Sequence, residues 1–149
     1  MNLAREHNSQ TLSLRERNEQ LIHQWSFLLE QGRSELHLRQ WFLAANYYQQ
    51  AMSIAESLFA ASLCKNCALR CYTRTLVEYA YVICKINGPE SLELIEQAAI
   101  LTLSAYVPMS LVEKLLLPVT EIKTRSDADR ELWLNQLFAE DASYRRRLH

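Results

Sequence analysis

The sequence predicts an all-α protein of about five to seven helices paired as antiparallel hairpins. Two observations predict it. The 149 residues include only 2 Gly and 3 Pro, too few to turn a chain of β-hairpins. Apolar residues recur at threes, fours and sevens along most of the chain, the spacing of one helical face.

Composition sets the bounds. The length suits one domain, 1–149, that buries its own core. Hydrophobic residues make up 49% and charged residues 22%, near the globular average. A net charge of -1 gives no global pull towards nucleic acid or an acidic membrane. Residues 1–10 are polar and lack the apolar core of a secretory signal. No apolar stretch approaches the roughly 20 residues of a membrane span. The expectation is a cytoplasmic protein with no nucleic-acid or membrane partner. Thiols stay reduced there, so the 4 Cys do not read as a disulfide framework.

Residues 1–12 have weak periodicity and are expected to fray. Ser13 and Glu16 read as a capping box opening the first helix. Leu14, Leu21, Trp25 and Leu28 then form one stripe. Between 34 and 59 there is no Gly or Pro. Leu38, Trp41, Ala45, Tyr48, Met52, Ala55 and Phe59 share a face there. The break before this face falls either at Gly32 or near Arg39.

A third stretch, about 60–86, presents Leu69, Leu76, Tyr79, Ile83 and Ile86. Asn87-Gly88-Pro89 ends it: Gly suits the left-handed position after a helix, and Pro cannot continue one. Pro89 opens the next helix, with Leu92, Ile95, Ala99 and Leu103 inward and Val107-Pro108 as its stop. Ser110 and Glu113 read as a capping box for a short helix that meets Pro118. Ser126, Asp127 and Asp129 mark the last N-terminus. Leu134, Leu137, Phe138 and Trp133 supply that helix's apolar face, so the C-terminal helices cover 110–141. Arg145, Arg146 and Arg147 lie in a basic tail, 142–149, expected to be mobile.

Within this pattern, residues 25–58 match a unit of about 34 residues. Leu28, Gly32, Trp41, Ala44, Tyr48 and Ala51 carry the match, and WFLAANYYQQAM is its strongest tract. The segment resembles a tetratricopeptide repeat. In that family the Gly lets the second helix approach the first, and alternating aromatic and small residues fill the space between. Three positions depart from the pattern: Glu35 where an aromatic is usual, Arg39 where Gly is frequent, and Glu56 where Pro often closes the unit. A degenerate second hairpin covers 73–105, with Leu76, Tyr79 and Ala80 opening it and Leu92, Ile95 and Ala99 closing it. The resemblance implies a right-handed helical array with a groove for a partner peptide or helix, and no chemistry.

Several constellations compete with that reading. Cys64, Cys67 and Cys71 sit at a spacing that could hold zinc or a cluster. No second Cys pair or suitably placed His completes a set, and Cys is commonly buried, so core thiols are expected. Lys65, Arg70 and Arg74 would activate a thiol that is exposed. His7, His23, His37 and His149 share no ligand spacing. No nucleophile stands on a tight Gly turn, and two Gly cannot cradle a phosphate. No catalytic residue, resident cofactor or metal is assigned.

Charge is uneven. Residues 61–86 are mainly basic, and 87–105 carry Glu90, Glu93 and Glu96 without a basic residue. Neighbouring helices pairing these faces is the plainer expectation. The sharper one is a basic groove in which Arg33, Arg70 and Arg74 bind an acidic peptide. Tyr47 and Tyr81 fall off the apolar stripes, where exposed aromatics favour interfaces. The leading expectation is therefore a non-catalytic protein-binding module, adaptor or chaperone-like, whose partner is another protein. A self-associating structural protein, as a homodimer, comes second, since an open array exposes apolar surface. A Cys-based metal or redox sensor comes third.

Overall fold

The scarcity of chain breakers translates into six α-helices and no strand among the described residues. The computed structural model describes the backbone of 3–61 and 64–147, and the side chains of 13–61 and 64–142. The helices are α1 (Leu3–His37), α2 (Trp41–Ala61), α3 (Lys65–Asn87), α4 (Leu92–Ser104), α5 (Met109–Thr124) and α6 (Asp127–Arg147). A 3-10 turn, Pro89–Ser91, precedes α4. None of these helices is long and apolar enough to cross a membrane.

The first break falls at Arg39, not Gly32. Arg39 takes the left-handed conformation, with φ 59°. Its N–H donates to Leu36 O at 3.0 Å, and Gln40 N–H donates to Glu35 O at 2.9 Å. This paired closure ends a helix and usually employs Gly at the turning residue. Gly32 lies inside α1, where an added Cβ would meet the Tyr48 ring at 3.1 Å. The close approach expected of Gly32 therefore occurs without a break.

Several other expectations need correction. Ser13 lies within α1, which already runs from Leu3, so Ser13 and Glu16 are not a helix start. Leu14 is exposed, and the buried stripe is Trp25, Leu29 and Leu36. The third stretch starts at Lys65, not near 60, because α2 runs to Ala61 and Cys64 caps α3. Helix α5 begins after Pro108, so Ser110 is already helical and makes no cap there. It also passes through Pro118. An interior Pro costs about 3 kcal/mol. Val112, Leu116, Val119 and Ile122 are buried on both sides of Pro118, and their burial outweighs that cost. Helix α6 stays helical through Arg147; Leu148 and His149 lie outside the described residues.

Other stops stand as expected. Gly88, with φ 87°, ends α3 and donates to Cys84 O at 2.8 Å. Ser126 Oγ accepts from Asp129 N–H at 3.3 Å and opens α6.

Helix α3 is central. It packs on α2 and α5, and touches α1 and α4. Trp25 Nε1–H donates to Thr75 Oγ1 at 2.7 Å, and Thr75 donates to Cys71 O at 2.7 Å, so a polar link ties α1 to α3 inside the core. Helix α6 lies antiparallel along α1: Glu131 is 3.5 Å from Arg39, and the Phe138 ring meets His37 at 5.4 Å. Arg130 fastens α6 to the end of α5 by donating to Ile122 O at 2.6 Å and Lys123 O at 3.4 Å. A cation suits those last carbonyls.

Candidate functional site

The expected basic groove is, at its base, a saturated ion cluster. Glu78 projects from α3 and is fully buried. Arg33, from α1, donates through Nε to Oε1 at 2.8 Å and through its terminal nitrogen to Oε2 at 2.7 Å. Tyr48, from α2, donates its hydroxyl to Oε1 at 2.9 Å. Such a two-point guanidinium fork satisfies a buried carboxylate that would otherwise be very costly. Phe138 covers the fork, with the Arg33 carbon 4.9 Å from its ring centre.

Asp141, from α6, extends the cluster. It accepts from Arg33 at 3.2 Å and pairs with Arg74 of α3. Burial disfavours the Arg33 cation, but the hydrogen bond and charge of Glu78 reverse this and hold its pKa above the ordinary value. Burial, then the Glu78 charge, pushes the Tyr48 phenol up, so it remains a donor.

These contacts correct the groove reading. Arg33 and Arg74 are not groove cations awaiting a peptide; they bind the protein's own carboxylates. Basic 61–86 also does not simply face acidic 87–105: Glu96 pairs with Lys123 of α5 at 2.9 Å. The third candidate, Arg70, is exposed on α3.

Above the cluster, α3, α5 and α6 enclose a cleft of about 490 Å³. Val77, Leu115, Pro118 and Leu137 give it apolar walls. Arg70, Lys114 and Glu140 add charge at exposed positions. The volume lies in the range of binding clefts. Arg33, Arg70 and Arg74 therefore do border one cavity, as their selection implied.

The tyrosines fare differently. Tyr47 is half-buried on α2 and does not border this cleft. Tyr81 is buried, contrary to the expectation of an exposed interface aromatic. It meets the edge of Trp41 at 6.3 Å between centroids. Burial first, then the charges of Glu131 and Asp127, pushes its phenol up to about 12. Helix α3 is covered on nearly every side, so falling off one stripe there does not mean exposure.

The cysteines split in two. Cys71 and Cys84 are buried, as core thiols should be, whereas Cys64 and Cys67 are exposed. Cys64 is the N-cap of α3, and its Sγ accepts from Cys67 N–H at 3.3 Å. No group of three or more His, Cys, Asp or Glu among the described residues is arranged to hold a metal ion. His23 and His37 are exposed; His7 and His149 lie outside the described side chains.

Sequence reasoning missed Glu78, Asp141 and Lys114. One signal for Glu78 was present: it is the only charged residue between Arg74 and Lys85. A lone acid in an apolar helical run needs a cationic partner if that face is buried. Nothing local pointed to Asp141, whose partner Arg33 is 108 residues away. Compared with protein-family models, with curated proteins and with solved structures, the chain gives no match.

Proposed function

We propose that the protein is a non-catalytic protein-binding module, an adaptor or chaperone-like unit. It takes an apolar segment bearing acidic side chains, from another protein, into the cleft between α3, α5 and α6. The cleft itself carries this reading. Its apolar walls, Leu115, Pro118 and Leu137, would bury aliphatic side chains of the guest, and Arg70 and Lys114 would meet its carboxylates. The buried cluster below ties α1, α2, α3 and α6 together without taking part in any reaction. In this reading the α1–α2 hairpin is a tetratricopeptide-like unit of a right-handed array. The fit of Gly32 against Tyr48, and the buried Ala44, Tyr48 and Ala51, support that assignment. Self-association is the second reading, supported by Leu94 and Leu101, which stand 73% and 76% exposed two turns apart on α4.

Peptide display tests the first reading. Peptides selected on the wild-type protein should be apolar and acidic, and should lose roughly tenfold or more in affinity on Arg70→Glu, with the melting temperature unchanged. Equal loss of affinity and stability would make Arg70 structural. Unchanged affinity would move the binding site away from this cleft.

A further inference from the structure

We infer that Cys64 and Cys67 form a thiol–disulfide exchange site at the start of α3, with Cys64 as the attacking sulfur and Cys67 as the resolving one. Its substrate class is a small organic disulfide. The inference is independent of the cleft and of any partner protein.

Three observations carry it. The two cysteines are exposed, while Cys71, one turn further, is buried. Reagents in water therefore meet the first pair and not the third thiol. Second, Cys64 has extended backbone, φ -123° and ψ 103°, and folds its side chain back over the first turn. Its Sγ lies 3.3 Å from the amide nitrogen of Cys67, three bonds from the Cys67 sulfur. Residues one helical turn apart fall within the Cα span that a disulfide bridges. Third, the site favours charge on one sulfur. Cys64 caps a helix of 23 residues, whose N-terminus stabilises an anion. The hydrogen bond with the Cys67 side chain, then the Cys67 amide, holds the Cys64 thiol below its ordinary pKa, and Arg70 adds to this. The same thiol–thiol hydrogen bond raises Cys67. Burial pushes Cys71 up to about 11. The chemistry thus has a direction: the N-cap position and the Cys67 amide favour negative charge on Cys64 Sγ, so Cys64 attacks and Cys67 resolves.

The exchange balances without a further oxidant. The Cys64 thiolate attacks one sulfur of the small disulfide, whose S–S bond breaks and releases one thiolate. Cys67 then gives up its proton and attacks Cys64 Sγ. The mixed bond breaks, and the second small thiolate leaves. Two cysteine thiols are oxidised to one disulfide, and one small disulfide is reduced to two thiols. The two protons lost by the cysteines go to the two leaving groups. Excess small thiol runs the sequence backwards.

Oxidised glutathione is the probe. Folded wild-type protein, Cys67→Ser and Cys64→Ser are incubated with it at neutral pH and followed by intact mass and peptide mapping. Wild type should lose two hydrogens and give a 64–67 crosslink. Cys67→Ser should keep one glutathione on Cys64. Cys64→Ser should form no crosslink and take up glutathione roughly tenfold more slowly. Serine is itself a good N-cap, so this variant keeps the start of α3. Iodoacetamide labelling of wild type gives an independent reading and should modify Cys64 before Cys67. A stable wild-type adduct without a crosslink, labelling of Cys67 first, or no reaction at all would overturn the assignment.

Discussion

Helix α3 buries eleven residues, while α4 buries three and α5 four. Around α3, the α1–α3 half holds large side chains, Trp25, Tyr48, Phe59 and Tyr72, and sets Glu78 among them. The α4–α6 half buries only single stripes and leaves Leu94, Leu101, Leu117 and Leu132 mostly exposed; α1 and α2 likewise leave Phe27 and Phe42 exposed on their outer sides, so the contrast is between α3 and the helices around it. The difference follows from position. A central helix meets neighbours over most of its circumference, so even its polar residues must find partners inside. An edge helix needs only one apolar stripe, and its other side answers to solvent or to a partner.

The largest effect is expected at the centre of α3. Glu78→Ala removes the acceptor for Arg33 and Tyr48 and leaves a buried cation with less compensation. Denaturant melts should register a loss of about 3–5 kcal/mol. A loss below about 1 kcal/mol would mean that Asp141 alone satisfies Arg33, and that α3 differs less from the helices around it than its burial suggests. Gly32→Ala comes next. Helix propensity alone would make it stabilising by about 1 kcal/mol. The new Cβ meets the ring of Tyr48, which is fully buried and tied to Glu78. Overpacking of this kind costs about 1–3 kcal/mol, so the melting temperature should fall slightly or hold, and not rise. A clear rise would mean that the α1–α2 contact is loose. The smallest effect is expected on α4. Leu101→Ser should change stability by no more than about 0.5 kcal/mol. If it also converts a dimer to a monomer by light scattering, the exposed face of α4 is a self-association surface. No change in mass would leave that face to solvent.

Much of the fold was legible because its signals are local. Gly88 and Ser126 act within one turn, so their residue types were enough to place a helix end and a helix start. Gly32 was readable as a close-packing point, though not whether the chain broke there. The region of Arg39 was readable as one of two break points, but its left-handed turn was not, because Arg takes that conformation only when the two helices it joins require it. Pro118 misled for a related reason: its local penalty is real, but the buried stripe on either side of it is decided by packing.

The candidate site divides along the same line. Arg33, Arg70 and Arg74 were selected together by charge, and they do border one cleft. Their roles could not be read, because a cation's role depends on what faces it. The two carboxylates that hydrogen-bond Arg33, Glu78 and Asp141, stand 45 and 108 residues away in sequence. Likewise the Cys64, Cys67 and Cys71 spacing is plain in the sequence, yet which thiols reach water depends on where α3 begins and which face α2 and α5 cover. By itself, then, the sequence determined the helical class, most apolar stripes and the ends whose chemistry lies within a turn. Only the tertiary structure decided that Glu78 is buried, that Arg33 is held by the protein's own carboxylates, and that Cys64 and Cys67 remain at the surface. Those outcomes depend on charges and surfaces brought together from distant parts of the chain, which local propensity does not encode.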